Sequence, residues 1–197
     1  MGDNERWISL LETAGAIQEG HFLLSSGRHS ERYIQCALAL EHPDSATLLG
    51  QGIAHSIQTP VDRVLAPPLG GLIIGYEVAR HRNVPFAFPE RDSAGELVLR
   101  RGFKLQPNER ICLVEDVITT GKTTRELLGL IHRLGALPVA IGAIVDRSET
   151  HGLDGLPIHS LLRLRIPTYA PETCPLCQRE IPLLQPGSRT MKGQGKL

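Results

Sequence analysis

ICLVEDVITTGKTT, residues 111–124, decides how the rest of this 197-residue chain folds. Ile111, Cys112, Leu113 and Val114 form a short, β-branched apolar run of the kind that makes a strand buried on both faces. Two adjacent carboxylates, Glu115 and Asp116, are expected at its end. Thr119, Thr120, Gly121, Lys122, Thr123 and Thr124 then supply hydroxyls, a permissive glycine and closely spaced backbone N–H groups. Leu127, Leu128, Ile131 and Leu134 follow at helical spacing, so the loop opens a helix whose N-terminus is suited to an anion.

Gly121, Lys122 and Thr123 spell the end of a nucleoside-triphosphate loop, but that motif needs a glycine five residues before Gly121, where Asp116 stands. Carboxylates beside a phosphate loop suit a ligand that carries a phosphate and, a few ångströms away, sugar hydroxyls able to donate to them. A phosphorylated ribose meets both demands. The competing reading is an ordinary strand-loop-helix turn with exposed acids.

Composition narrows the class. Lys plus Arg equals Asp plus Glu, 21 each, so the overall field supports neither nucleic-acid nor polybasic membrane binding, and an anion site must be local. The N-terminal residues lack a basic segment followed by an apolar core, and no apolar run has a membrane-spanning length. A cytoplasmic chain is expected. Its length suits one α/β domain: residues 1–40 an N-terminal hood region, 41–166 the α/β core and 167–197 a tail.

Outward from the central stretch, Trp7, Leu10, Leu11 and Ala14 share a helical face that Gly15 closes, read as a lid or hood helix. Residues 20–40 read as strand, turn and strand, with Ser25, Ser26 and Gly27 in the turn. Asp44 is placed to cap a helix carrying Ala46, Leu49 and Ile53. Val64, Leu65 and Ala66 form a strand feeding Pro67, Pro68, Leu69, Gly70 and Gly71 and a further helix. Residues 84–89 read as another strand and 90–102 as a charged hairpin. Val139 to Val145 return as a buried strand ending at Asp146 and Arg147. Strands alternating with helices imply a mostly parallel twisted sheet with ligand groups gathered at its carboxyl edge. Cys174 and Cys177, at C-x-x-C spacing, suit structural thiols, a local disulfide, half of a structural metal site or a redox pair. Residues 192–197 are expected to fray.

The stretch at 111–124 resembles the phosphoribosyl pyrophosphate signature of the type I phosphoribosyltransferases. A second, distant pattern, Phe22, Leu24, Ser26, Gly27, Ser30 and Tyr33, resembles the N-terminal hood of the orotate phosphoribosyltransferase family. The resemblance implies a type I phosphoribosyltransferase fold, a homodimer, Mg²⁺ held mainly through substrate and water rather than by protein ligands, and phosphoribosyl pyrophosphate and orotate as substrates. It implies catalytic roles for Glu115, Asp116 and Arg101. Thr119, Thr120, Gly121, Lys122, Thr123, Thr124, Gly70 and Arg91 would bind phosphoribosyl pyrophosphate, and Arg147, Ser26 and Tyr33 would bind orotate. Relatives frequently carry lysine where Gly70 stands, and lysines and a histidine in the mobile loop; here the cations between Pro85 and Phe103 are Arg91, Arg100 and Arg101. A solvated charged hairpin competes with a catalytic loop there. The implied reaction is phosphoribosyl transfer to orotate, giving orotidine 5′-monophosphate. Its rivals are a purine phosphoribosyltransferase and a non-catalytic, nucleic-acid-binding sensor of phosphoribosyl pyrophosphate.

Overall fold

The computed structural model describes residues 2–150 and 152–186. In chain order, its elements begin with α1 (Asp3–Thr13), β1 (Ile17–Leu23), β2 (His29–Ile34), α2 (Ala37–Leu40), α3 (Pro43–Ser56), β3 (Arg63–Leu65) and α4 (Gly70–Arg82). They continue with β4 (Phe86–Ala87), β5 (Pro89–Arg91), β6 (Leu97–Leu99), β7 (Arg110–Ile118), α5 (Lys122–Arg133) and β8 (Leu137–Asp146). Last come β9 (Gly152–Leu153), β10 (Leu156–Arg163), β11 (Thr168–Tyr169), a 3₁₀ turn (Pro171–Thr173) and α6 (Pro175–Gln178). The frayed end expected at 192–197 lies outside the described residues.

The central sheet has the order β4-β3-β7-β8-β10-β9 and is parallel except for β9. β7 takes a central place because its apolar residues serve two layers. Cys112 and Val114 face one core with Ile53 of α3, Ile74 of α4 and Leu11 of α1. Ile111 and Leu113 face the other, with Leu127 and Ile131 of α5 and Leu97 of the β5-β6 hairpin. Burial of each such Leu or Ile stabilises by about 1.5–3 kcal/mol. The helix after the loop is as expected: Gly121, at φ 72°, turns the chain into α5, and Gly135, at φ 75°, follows its end.

A separate three-stranded sheet, β1-β2-β11, makes the hood. The expected strand-turn-strand is present, but its apolar continuation is the short helix α2, whose Ala39 and Leu40 are buried in the main core. The first helix is no lid either. Trp7 and Leu11 are buried, and a Cβ on Gly52 of α3 would lie 2.7 Å from the Trp7 ring, so α1 packs into the core beneath the hood. Asp44 sits inside the first turn of α3 rather than capping it, because Pro43 occupies the opening turn and His42 the cap. The tail folds back on the hood. β11 pairs antiparallel with β2, and Leu184 bridges Phe22 on the free edge of β1.

Candidate active site

β7 runs past the expected end and pairs with β8 as far as Ile118 opposite Asp146, so both acids lie within the strand. Neighbouring residues of a strand point to opposite faces. Glu115 therefore turns toward α5, where its carboxylate accepts a hydrogen bond from the Thr124 hydroxyl. Thr124 is fully buried, so the hydroxyl expected on a ligand phosphate is committed to Glu115 instead. Burial, opposed by the Thr124 bond and reinforced by Asp116 and Glu126, pushes the Glu115 pKa from 4.5 to about 7.

Linkage gives this a sign. A carboxyl that titrates higher in the folded state adds stability that is complete below pH 4.5 and is lost as pH rises toward 7. Glu115→Gln keeps an amide oxygen for Thr124 and removes the titration. Melting temperatures of the two proteins should diverge in favour of the variant across that window; parallel curves would show that Glu115 does not titrate there.

Asp116 faces the other way, toward the hood. A Cβ on Gly70 would lie 2.8 Å from one Asp116 carboxylate oxygen, so the turn into α4 can pass this close only with glycine. Leu69 before it adopts φ 68°, a left-handed conformation uncommon for a leucine. Cys36 reaches the Asp116 carbonyl at 3.9 Å. Tyr33, stacked on Phe22 with ring centroids 5.7 Å apart, lies in the same region: burial, Asp116 and Cys36 raise its pKa, and Arg147 lowers it. Asp116, Tyr33 and Arg147 thus meet in one cleft between hood and sheet edge. Burial also raises the Asp116 pKa, against hydrogen bonds from backbone N–H groups. No basic side chain pairs with it among the described residues.

Arg147 follows the last residue of β8, held by its backbone N–H to the Ile118 carbonyl at 2.8 Å. Its Nε is buried with no hydrogen-bond partner, and burial pulls its pKa below the ordinary arginine value. Arg147 forms no salt bridge with its neighbour Asp146. Asp146 is buried, accepts the Ser148 N–H at 2.8 Å and lies 3.8 Å from Arg163. A half-desolvated guanidinium with an orphan donor is costly to the fold, which makes it a candidate for ligand recognition.

The phosphate loop is open at Thr119, Thr120 and Lys122, while Thr123 is half-buried. Arg125 ties it down by donating to the Thr120 carbonyl at 2.8 Å. The hairpin cations are engaged elsewhere. Arg91 pairs with Glu126 of α5 at 2.6 Å, and Arg101 with Glu90 at 2.7 Å. Arg91, Lys122, Arg125 and Arg133 line a cavity of about 380 Å³ between hairpin and α5, on the Glu115 side of the sheet. Ser26 stands at the exposed hood tip, its Oγ 3.5 Å from the Arg28 N–H. The structure therefore brings together Asp116, Gly70, Tyr33 and Arg147, and leaves Ser26, Arg91 and Arg101 outside that group. Period-two alternation applied to Glu115 and Asp116 would have separated them in advance; nothing local announced the Gly70 contact.

The Asp116 pocket also suits a hard divalent cation. It offers one oxygen donor that no basic side chain pairs with among the described residues.

Comparisons place this geometry. No protein-family model matches the chain. The structure of orotate phosphoribosyltransferase from Aeropyrum pernix superposes with a TM-score of 0.65 at 27% identity, covering 80% of this chain and 93% of that one. That of Leishmania donovani UMP synthase gives 0.70 at 22% identity, covering 83% and 37%. The fold is that of the type I phosphoribosyltransferases. In sequence, orotate phosphoribosyltransferase of Thermotoga maritima is 45% identical over 184 residues, 93% of this chain and 98% of that protein. The chain belongs to the orotate phosphoribosyltransferase family.

Proposed function

We propose that the protein transfers the phosphoribosyl group of phosphoribosyl pyrophosphate to N1 of orotate, the step that forms orotidine 5′-monophosphate on the way to UMP. The observation that carries this reading is the orphan Nε of Arg147 in the cleft it shares with Asp116 and Tyr33. The C1′–O bond breaks and positive charge grows on the ribose ring as the C1′–N1 bond forms; pyrophosphate leaves, and the proton given up by orotate N1 is taken by pyrophosphate or solvent. The chain's task is to align the reactants and stabilise that charge. Asp116 accepts from a ribose hydroxyl and lies close to the developing oxocarbenium. Glu115, clamped by Thr124, positions the loop from the other face. Backbone N–H groups at 119–123 hold the 5′-phosphate at the start of α5. Arg147 meets the orotate carbonyls, with Tyr33 beside it.

Mg²⁺ would be held mainly by substrate oxygens and water, with Asp116 as the protein's contribution, and when bound supplies charge neutralisation on pyrophosphate. The remaining cation comes from the hairpin. Arg101, at φ 56° in the turn after β6 and itself exposed where it pairs with the half-buried Glu90, is released at little cost because such pairs are weak. The class is pentosyl transfer, a glycosyltransferase reaction, in the cytoplasm. Among the described residues no helix is long and apolar enough to cross a membrane. A homodimer is supported by an apolar stripe of Leu69, just before α4, with Ile73 and Tyr76 of α4, which are 79%, 48% and 57% exposed. Tyr76→Glu should yield a monomer by light scattering if that stripe is the interface.

Pyrophosphate release with orotate, compared with hypoxanthine and adenine and with and without Mg²⁺, tests the assignment. Turnover with a purine but not with orotate overturns it, and the same assay on Arg101→Ala and Arg91→Ala decides between the hairpin cations.

A further inference from the structure

Four side chains that could ligate a metal converge at the back of the hood, from parts of the chain up to 156 residues apart. His21 comes from β1, His29 from β2, and Cys174 and Cys177 from the turn into α6. Each offers one ligand atom, and the four atoms lie within 4.8 Å of one another. His21 Nε2 is 2.9 Å from His29 Nδ1 and 3.5 Å and 3.7 Å from the sulfurs of Cys174 and Cys177. Cys177 Sγ is 3.2 Å from His29 Nδ1. A tetrahedral zinc, with bonds of about 2.0–2.1 Å to nitrogen and 2.3 Å to sulfur, sets its ligand atoms roughly 3.3–3.8 Å apart. The cluster already has nearly that size. We propose that His21, His29, Cys174 and Cys177 form a structural zinc site that fastens the C-terminal segment across the hood.

The surroundings agree with the ligand set. His21 Nδ1 is 2.7 Å from the Ile181 carbonyl oxygen, which can only accept. Nδ1 therefore carries the proton and the Nε2 lone pair faces the cluster, the outer-shell arrangement that fixes a ligating imidazole. The strand itself is deformed to deliver that ring. Pairing of β1 with β2 shifts register between Glu19 and Phe22, and the successive residues His21 and Phe22 are both buried, where a regular strand would expose one. His21, His29 and Cys174 are buried, and all four cysteines of the chain are free thiols. Two thiolates and two imidazoles favour zinc over the oxygen-seeking Mg²⁺ or Ca²⁺. Four protein ligands fill the tetrahedron, so this site is closed and takes no part in the transfer reaction.

The fold has a use for such a fastening. A small three-stranded sheet buries little apolar surface of its own. Its outer strand β11 and the Leu184 bridge both belong to the segment that carries the cysteines. Phe22, next to His21, supports Tyr33 at the cleft. A metal bond network at His21 and His29 would therefore hold the hood hairpin in register.

Zinc measured by mass spectrometry on the full chain, free of any histidine tag and kept reduced, tests the site. About one zinc per chain should survive dialysis, and Co²⁺ in its place should show tetrahedral d–d bands with thiolate-to-cobalt charge transfer. Cys177→Ser and His29→Ala should lower the zinc content at least roughly fivefold, and His29→Cys should restore it, since Cys₃His is also a structural zinc set. The wild-type measurements decide the case even where a variant fails to fold. Less than about 0.1 zinc per chain after reconstitution with Zn²⁺, an octahedral cobalt spectrum, a Cys174–Cys177 disulfide in the purified reduced protein, or unchanged zinc in Cys177→Ser would each overturn the proposal.

Discussion

Asp116→Asn should lower turnover about a hundredfold while leaving the fold intact. The change keeps the side chain's shape and its place beside Gly70, and removes one negative charge from the face of the sheet to which the proposed reaction assigns the ribose. A fixed charge aimed at charge developing in a water-poor site contributes about 3 kcal/mol, or roughly a hundredfold in rate. Stability should hold or rise. Burial raises the Asp116 pKa, which means that the ionised carboxylate costs the unliganded fold something at neutral pH. Steady-state turnover at saturating substrate, with a thermal melt on the same sample, checks both halves. Turnover near the wild-type value would remove Asp116 from the mechanism, and a collapsed melt would mark it as structural. The corresponding change at Glu115 should have a different signature, since that carboxylate is bound to Thr124 on the other face of the strand.

Arg147→Ala should raise the Michaelis constant for orotate by roughly tenfold to a hundredfold or more, and that for phosphoribosyl pyrophosphate far less. In the proposed complex the ring carbonyls of orotate would meet a guanidinium that is already partly desolvated and has a buried Nε with no partner in the protein. A charged hydrogen bond in such a site contributes about 1.5–3 kcal/mol, which is that range of affinity. Melting temperature separates the recognition role from a structural one. A guanidinium held in a salt bridge would destabilise the fold when removed, whereas this one pairs with neither Asp146 nor Glu149 and its loss should leave the melt unchanged or slightly higher. Equal rises in both Michaelis constants, or a large drop in melting temperature, would reject recognition of the base.

Much of this architecture was legible locally. The run from Ile111 to Val114 and the spacing of Leu127, Leu128 and Ile131 specify β7, the loop and α5 through hydrophobic periodicity alone. Arg147 could be placed at the carboxyl edge because the apolar residues of β8 lead straight to it. The division of labour between Glu115 and Asp116 is hidden in the sequence because a strand read as ending in two adjacent carboxylates leaves both at its tip, where they could serve one ligand together. Polar residues stop an apolar pattern, but pairing with β8 does not stop with it. α1 was misplaced for a related reason: an amphipathic stripe shows that a helix packs, not what it packs against. Partners of Arg91 and Arg101 depend on side chains in other elements. The convergence of His21 and His29 with the cysteines left only the C-x-x-C half visible, since the histidines stand far from it along the chain.

The return of the tail to the hood has a consequence for the order in which this molecule is completed. β1 and β2 leave the ribosome well before β11 and Leu184, which pair with their two outer edges. Loop closure over such separations is slow and cannot begin before the late segment exists. The nascent chain therefore carries two unpaired strand edges while its central sheet is already able to form. The hood that bears Tyr33 can close only after β11 and Leu184 have been made, so competence at the cleft depends on a segment far downstream in the chain.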